Sequence, residues 1–246
     1  MKFIPRSEPS NDVEPLTLDA FIRICNRVGV IDSEARFLQV LPALRRLSMN
    51  KRMLVDHLDA LLERGDQEVP QSILLGGGEH FYIRAMIWPA MPADEMDAAT
   101  LYRYAYCVPH DHNFSFMTIG YLGSGYRTRF FRSDRGLREV EVSDRLSLSG
   151  DEEFNLREGD VAIVDEYDDV HIQYPPESMS VSLNVVPRSK FRFKQAFIST
   201  EGVVVLPLAF SSHYGQFMEL ADLLASSRLR TAVKTYYAAP RGRRTV

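Results

Sequence analysis

Through its first 70 residues the chain repeats apolar side chains at helical spacing, and after Pro70 it changes to short runs of β-branched and aromatic residues. Thr17 stands before Leu-Asp-Ala-Phe-Ile-Arg-Ile-Cys-Asn-Arg-Val and Gly29 after it. That predicts a helix with an N-cap residue at one end and a left-handed stop at the other. A second helix is predicted from about Ser33 to Leu47, kinked or split near Pro42, where the ring removes a backbone donor. Asn50 caps a third, in which Met53, Leu54, Leu58, Leu61 and Leu62 share a face until Gly65 ends it.

Strands are predicted at 72–75, 80–88, 104–108, 112–122, 126–132, 138–143, 145–149, 160–165, 170–174, 179–186, 192–199 and 202–206. Residues 89–102, with Pro89, Pro92, Asp94, Glu95 and Asp97, read as a long loop, and Gly123-Ser-Gly125 reads as a hairpin turn. So many short strands without intervening helices predict a mainly β fold, a sandwich or barrel. From Ser212 onward the stripe Phe217, Met218, Leu220, Leu224, Leu229, Val233 and Tyr237 predicts a helix packed on the barrel or on a partner subunit, compatible with a homodimer. The expected organisation is a helical segment over 1–70, a β-barrel over 71–210, and a C-terminal helix with a basic tail over 211–246.

Composition adds exclusions. With 29 Lys and Arg against 33 Asp and Glu, the formal charge of -4 gives no global draw toward nucleic acid or a membrane surface. The Arg241-Gly-Arg-Arg244 run reads as a solvated tail. Two cysteines, Cys25 and Cys107, suggest no disulfide framework, the N-terminus has no apolar signal region, and no window is long enough to span a bilayer. The cytoplasm is the expected compartment.

Candidate chemistry centres on His110 and His112, within Pro109-His-Asp-His-Asn-Phe-Ser-Phe. In an extended strand, residues two apart point to one face, so both imidazoles could reach a single metal ion. His171 follows 59 residues after His112, beyond the apolar run Asp160-Val-Ala-Ile-Val-Asp165. Two histidines on one strand and a third from a facing strand would make an N3 site with open positions. His57, His80 and His213 read instead as ordinary structural or surface residues.

The segments around His110-x-His112 and Gly120, and around Glu158-Gly159-Asp160 leading to His171, resemble the two motifs of the cupin superfamily. The resemblance implies a jelly-roll barrel holding a metal near one mouth. In the cupin pattern a glutamate lies four or five residues after the second histidine, whereas Phe116 and Met117 stand here, leaving a three-histidine set. That set resembles thiol dioxygenases of the cysteine dioxygenase type, as do the preceding helices, the apolar strand ending in Trp88 and the run Ser180-Val-Ser-Leu-Asn-Val-Val186. The chain departs from them too. Ser182 is kept, but Asn184 and Val186 replace the family's His and Tyr, no cross-linking cysteine lies near Phe114 to Thr118, and no arginine lies near Gln71. Cysteine itself is therefore not the expected substrate.

Several further residues have two readings each. Phe114, Phe116 and Thr118 continue the histidine face and either line a pocket or fill the barrel. Ser182 and Asn184 share a strand face and either bond substrate or oxygen, or pair with neighbours. Arg84, within the apolar run Phe81 to Trp88, either anchors an anionic substrate or reaches the surface or an acid. Tyr126, with Tyr106, Tyr167 and Tyr174, is a candidate proton donor at the mouth. Asp111 is expected to face away from the ligands, and Cys107 to point opposite to His110.

Three neutral imidazoles add no negative charge, so Fe(II) held by them stays electrophilic and takes an anionic bidentate substrate before oxygen. The leading expectation is a non-haem Fe(II) oxygenase acting, with O2, on a small chelating metabolite or amino-acid derivative. The same ligands accept Zn, Ni, Cu or Mn, which leaves open a non-redox isomerase or lyase. A sensing protein without catalysis is the third expectation.

Overall fold

The structure is a computed structural model that describes residues 1–6, 13–63, 71–92, 96, 104–138, 140–188, 195–199, 201–205 and 231. The chain divides into two compact units, Met1–Val205 and Leu206–Val246. The predicted C-terminal helix, the arginine tail and His213 lie outside the described residues, as does most of the acidic loop over 93–103.

Three helices open the first unit after a short strand, β1 (Lys2–Ile4). In α1 (Leu18–Val28) the Thr17 hydroxyl accepts from the Ala20 N–H at 3.3 Å. Gly29, at φ 81°, donates its N–H to the Cys25 carbonyl and stops the helix. The next helix, α2 (Glu34–Ser48), runs unbroken through Pro42, contrary to the expected split. Its buried residues Phe37, Val40, Leu44 and Leu47 hold one face on the core, which offsets the single backbone hydrogen bond that proline removes. Asn50 caps α3 (Arg52–Glu63) by accepting from the Met53 N–H.

The remaining strands are β2 (Ser72–Gly77), β3 (Phe81–Trp88), β4 (Phe116–Leu122), β5 (Tyr126–Ser133), β6 (Leu148–Leu156), β7 (Val161–Val164), β8 (Asp169–Gln173), β9 (Ser180–Pro187), β10 (Phe197–Ile198) and β11 (Val204–Val205). They form a six-stranded sheet in the order β1-β7-β4-β9-β3-β2, a three-stranded sheet in the order β6-β5-β8, and the pair β10-β11. Every paired strand is antiparallel. The runs β3-β9-β4-β7 and β8-β5-β6 are the strand orders of a jelly roll, with single bridges at Tyr106 and His110 lying where its remaining strand would run along β8. The fold is therefore mainly β with helical segments, as the strand pattern predicted, and its barrel is the jelly roll that the cupin resemblance implied.

Both faces of the larger sheet are covered. Phe81, Ile83, Ala85, Met117, Ile119, Tyr121, Leu183 and Val185 pack outward against Phe21, Phe37, Leu44 and Leu47 of the helices. Alternate residues face inward, where Met86, Trp88 and Ala162 meet Tyr126 and Leu156, and Phe116, Val164 and Val186 meet Phe130. Strands buried on both faces read as continuous apolar runs, which is why β7 and β9 are plain in the sequence.

Four expectations need correction. Lys2–Ile4, placed in a helical segment, is a strand that pairs with β7. Residues 138–143 form no strand among those described, because the chain turns there with Ser143 at φ 76°. The strand expected at 145–149 starts at Leu148 and continues to Leu156 through Asp151, Glu152 and Glu153. Those acids sit at a sheet edge, where Glu153 and Asp151 pair across with Arg127 and Arg129. Finally, Gly123-Ser-Gly125 is a corner passing from one sheet to the other, not a hairpin turn, since β4 and β5 do not pair. At Gly123 (φ 87°) a Cβ would lie 2.2 Å from the Met179 carbonyl oxygen.

No helix among the described residues is long and apolar enough to cross a membrane.

Candidate metal centre

His110, His112 and His171 converge. Their ring centroids lie 5.2 Å (His110 to His112), 4.4 Å (His110 to His171) and 4.9 Å (His112 to His171) apart. One ring nitrogen from each lies within 4.8 Å of the others. The centre is assembled by backbone pairing rather than by a continuous strand. His110 is an isolated antiparallel bridge to His171, each N–H donating to the other's carbonyl at 3.0 and 2.9 Å. His112 lies just past that bridge, outside any strand, and its carbonyl accepts from the Tyr167 N–H. Only Phe116–Leu122 of the strand expected at 112–122 forms.

The histidines are held in the neutral form that metal ligation requires. His110 donates Nδ1–H to the Val108 carbonyl at 2.8 Å, which leaves Nε2 as the lone-pair atom. Burial lowers its pKa to about 4, partly opposed by that hydrogen bond. Burial also holds His112 and His171 well below the ordinary range, with His110 adding to both and Arg84 adding to His112. His112 Nδ1 and both nitrogens of His171 are buried without a hydrogen-bond partner in the structure. Orphaned imidazole nitrogens grouped this closely fit a metal ion. Among the described residues no carboxylate joins the group. A divalent ion there would keep its full charge.

Aromatic rings enclose the centre. Phe197 stacks on His110 at 5.5 Å, Phe130 lies 5.3 Å from His171, and Phe114 and Phe116 lie 5.0 and 4.9 Å from His112. Below His171 runs a cavity of about 10 Å³, reaching Thr128, Gln173 and Tyr126. That is room for roughly one water molecule.

The other sequence candidates divide into two groups. Ser182, Asn184, Thr118 and Tyr126 meet inside the barrel. Trp88 Nε1–H donates to Ser182 at 3.0 Å, Thr118 donates to Asn184 Oδ1 at 2.8 Å, and Ser182 reaches the same oxygen at 3.4 Å. Burial pushes the Tyr126 hydroxyl up to about 12, opposed by hydrogen bonds to Ser182 and Thr118. Arg84 and Phe114 lie on the His112 side, with the guanidinium 5.8 Å above the Phe114 ring.

Asp111 faces away from the ligands, as expected, but it is fully buried and grips Ala196. His57 bonds the carbonyls of Met53 and Leu75, in keeping with a structural role. Tyr106 donates to the Pro89 carbonyl, Tyr167 to that of Asn113, and Tyr174 packs under Arg127. Cys107 is half-buried near Trp88 and Tyr106, and burial raises its thiol pKa. Sequence reasoning missed Phe130 and Phe197. Alternation along β5 could have indicated Phe130, but nothing local marks Phe197.

No family model and no curated protein matches the chain. Among solved structures, it is similar to a hydroquinone 1,2-dioxygenase from Sphingomonas sp. TTNP3 (10% identity, 53% of this chain and 74% of that one, TM-score 0.33). It is also similar to a cupin-2 domain-containing protein from Shewanella frigidimarina (8%, 53% and 92%, 0.30). A third is the polyketide cyclase RemF from Streptomyces resistomycificus (14%, 67% and 87%, 0.29). At this level the likenesses carry no functional weight, and the strand order and the histidine geometry stand on their own.

Proposed function

We propose that the chain is a cupin-type, non-haem Fe(II) oxygenase of the cytoplasm, acting with O2 on a small chelating metabolite or amino-acid derivative. One observation carries this reading: three imidazoles held neutral, His110 and His171 buried and His112 half-buried, converge with unpartnered nitrogens, and no carboxylate among the described residues joins them. Fe(II), when bound, supplies a redox-active Lewis acid with open coordination positions. The chain's own part is positioning and exclusion. The Val108 carbonyl fixes the His110 tautomer, and Phe114, Phe116 and Phe130 keep water from the reacting face. Asn184 Oδ1 is taken by Thr118 and Ser182, which leaves its amide to donate to a bound ligand.

Anaerobic loading with Fe(II), followed by oxygen uptake across a panel of chelating acids and amino-acid derivatives, tests the proposal. Oxygen consumption that depends on iron and on one compound is expected. Iron that stays bound but consumes no oxygen with any compound overturns it. Turnover with Zn and without oxygen assigns the centre to an isomerase or lyase instead.

A further inference from the structure

Arg84 is an anomaly of the barrel interior. Its strand neighbours Phe81, Ile83 and Ala85 face the helices, whereas Arg84 falls on the opposite, inward-facing side with Met86 and Trp88. It is only half-buried, yet its Nε is buried without an acceptor. No Asp or Glu among the described residues pairs with it. A guanidinium nitrogen withdrawn from water without an acceptor is costly unless a partner completes it, while the terminal nitrogens of Arg84 are not among the buried atoms that lack a partner. Burial lowers its pKa, but arginine stays protonated throughout the working range.

Its surroundings define what would complete it. The guanidinium lies 5.8 Å from the Phe114 centroid, and Phe114 lies 5.0 Å from His112, so an aromatic face spans the gap between the cation and the imidazoles. Asn184 stands opposite Arg84 in the β3–β9 register, adding an amide donor beside it. Arg84 beside three neutral histidines presents positive charge, to which a divalent ion would add, and no carboxylate among the described residues joins the histidines or pairs with Arg84. The cavity below His171 is too small for a metabolite, whereas Arg84, His112 and Phe114 are each partly exposed, so a ligand can reach them from outside that cavity.

We infer that Arg84 is the anion receptor of this centre and selects a small planar carboxylate that lies along Phe114, its other end directed at the histidines. The inference rests on the metal-centre reading for that second end alone.

Benzoate and its neutral isostere benzamide are the probes, titrated calorimetrically into the full chain, both metal-free and loaded with Zn(II). Benzoate is expected to bind at least about tenfold tighter than benzamide, as one charge-assisted hydrogen bond provides. Arg84→Met should lose about that factor for benzoate while keeping its Zn(II) content, and Arg84→Lys should recover part of it. Equal benzoate affinity in wild type and Arg84→Met, equal binding of the two probes, or no benzoate binding overturns the inference. If Arg84→Met does not fold, the two probes on wild type and Arg84→Lys decide. A chain that takes up no Zn(II) defeats the metal-centre reading, and the metal-free titrations still decide the role of Arg84.

Discussion

Asp111 and Ala196 hold each other at two points: the Asp111 N–H donates to the Ala196 carbonyl at 3.1 Å, and the Ala196 N–H donates to Asp111 Oδ1 at 2.5 Å. Beside this grip, the Ile198 N–H donates to the Pro109 carbonyl, and Phe197 lies flat against His110. Ile198 and Val204 pack in turn on Val170 and Leu137. The segment after the barrel is thus fastened to the stretch that carries two of the three candidate ligands, with Asp111 at the point of attachment.

Asp111→Ala leaves the buried Ala196 N–H unpaired, which costs about 1–3 kcal/mol. It also frees the backbone between His110 and His112, so metal affinity should fall by roughly 10–100-fold, as when supporting groups of metal ligands are removed. Asp111→Asn keeps an oxygen acceptor and should restore most of both. Thermal denaturation with and without Zn(II) measures the two effects, and an Asp111→Ala protein equal to wild type in both would remove Asp111 from the centre.

Proton uptake gives the metal-free protein a defined acid limit. An unfolded histidine titrates near 6.5, whereas His110 in the fold is held to about 4 by burial. Between those values the unfolded chain binds a proton that the native chain does not. Its contribution is therefore complete above pH 6.5 and is lost as pH falls, amounting to about 3 kcal/mol for His110 at pH 4. His112 and His171 act in the same direction. Asp111 acts in the opposite one, because burial raises it to about 7 and the native state takes up its proton first. With three groups against one, stability in urea should decline from pH 7 to 5, and bound metal should lessen the decline by holding the imidazoles neutral. A flat or rising profile in the metal-free protein would contradict a triad held neutral by the fold.

The centre and the ordinary histidines separate by substitution. His171→Ala should abolish stoichiometric metal binding and, since both its ring nitrogens lack partners, leave no protein hydrogen bond unmade. His57→Ala breaks bonds to Met53 and Leu75 and should cost about 1–2 kcal/mol while keeping the metal. Metal analysis after dialysis reads the difference, and equal metal content in the two variants would show that the triad does not bind it.

Much of this arrangement is legible in the sequence, wherever the determining interactions are local. Thr17, Gly29 and Asn50 announce helix ends through their own backbone bonds. β7 and β9 are legible because both their faces are buried. The three histidines stand out through spacing and the rarity of their type. What stayed hidden depends on distant partners. Lys2–Ile4 becomes a strand because β7 offers an edge, and the acids of β6 become strand residues because arginines of β5 lie opposite. Phe197 reaches His110 through pairing between distant segments, Asp111 with Ala196 and Pro109 with Ile198.

Gly120 tests the barrel itself rather than its centre. Its N–H donates to the Asp160 carbonyl, and its own carbonyl accepts from the Gly159 N–H, so β4 closes directly on the turn that leads into β7. A Cβ at this position would lie 2.0 Å from the Arg157 carbonyl oxygen, a backbone atom with little freedom to move. Gly120→Ala must therefore push the turn away from the strand. The cost should be about 1–3 kcal/mol, as for other overpacked interiors. The rings lie toward the opposite end of β4, beside Phe116, so metal binding should survive in the fraction that folds. Chemical denaturation combined with metal titration separates the two effects. A Gly120→Ala protein as stable as wild type would mean that the strand and the turn are not in contact.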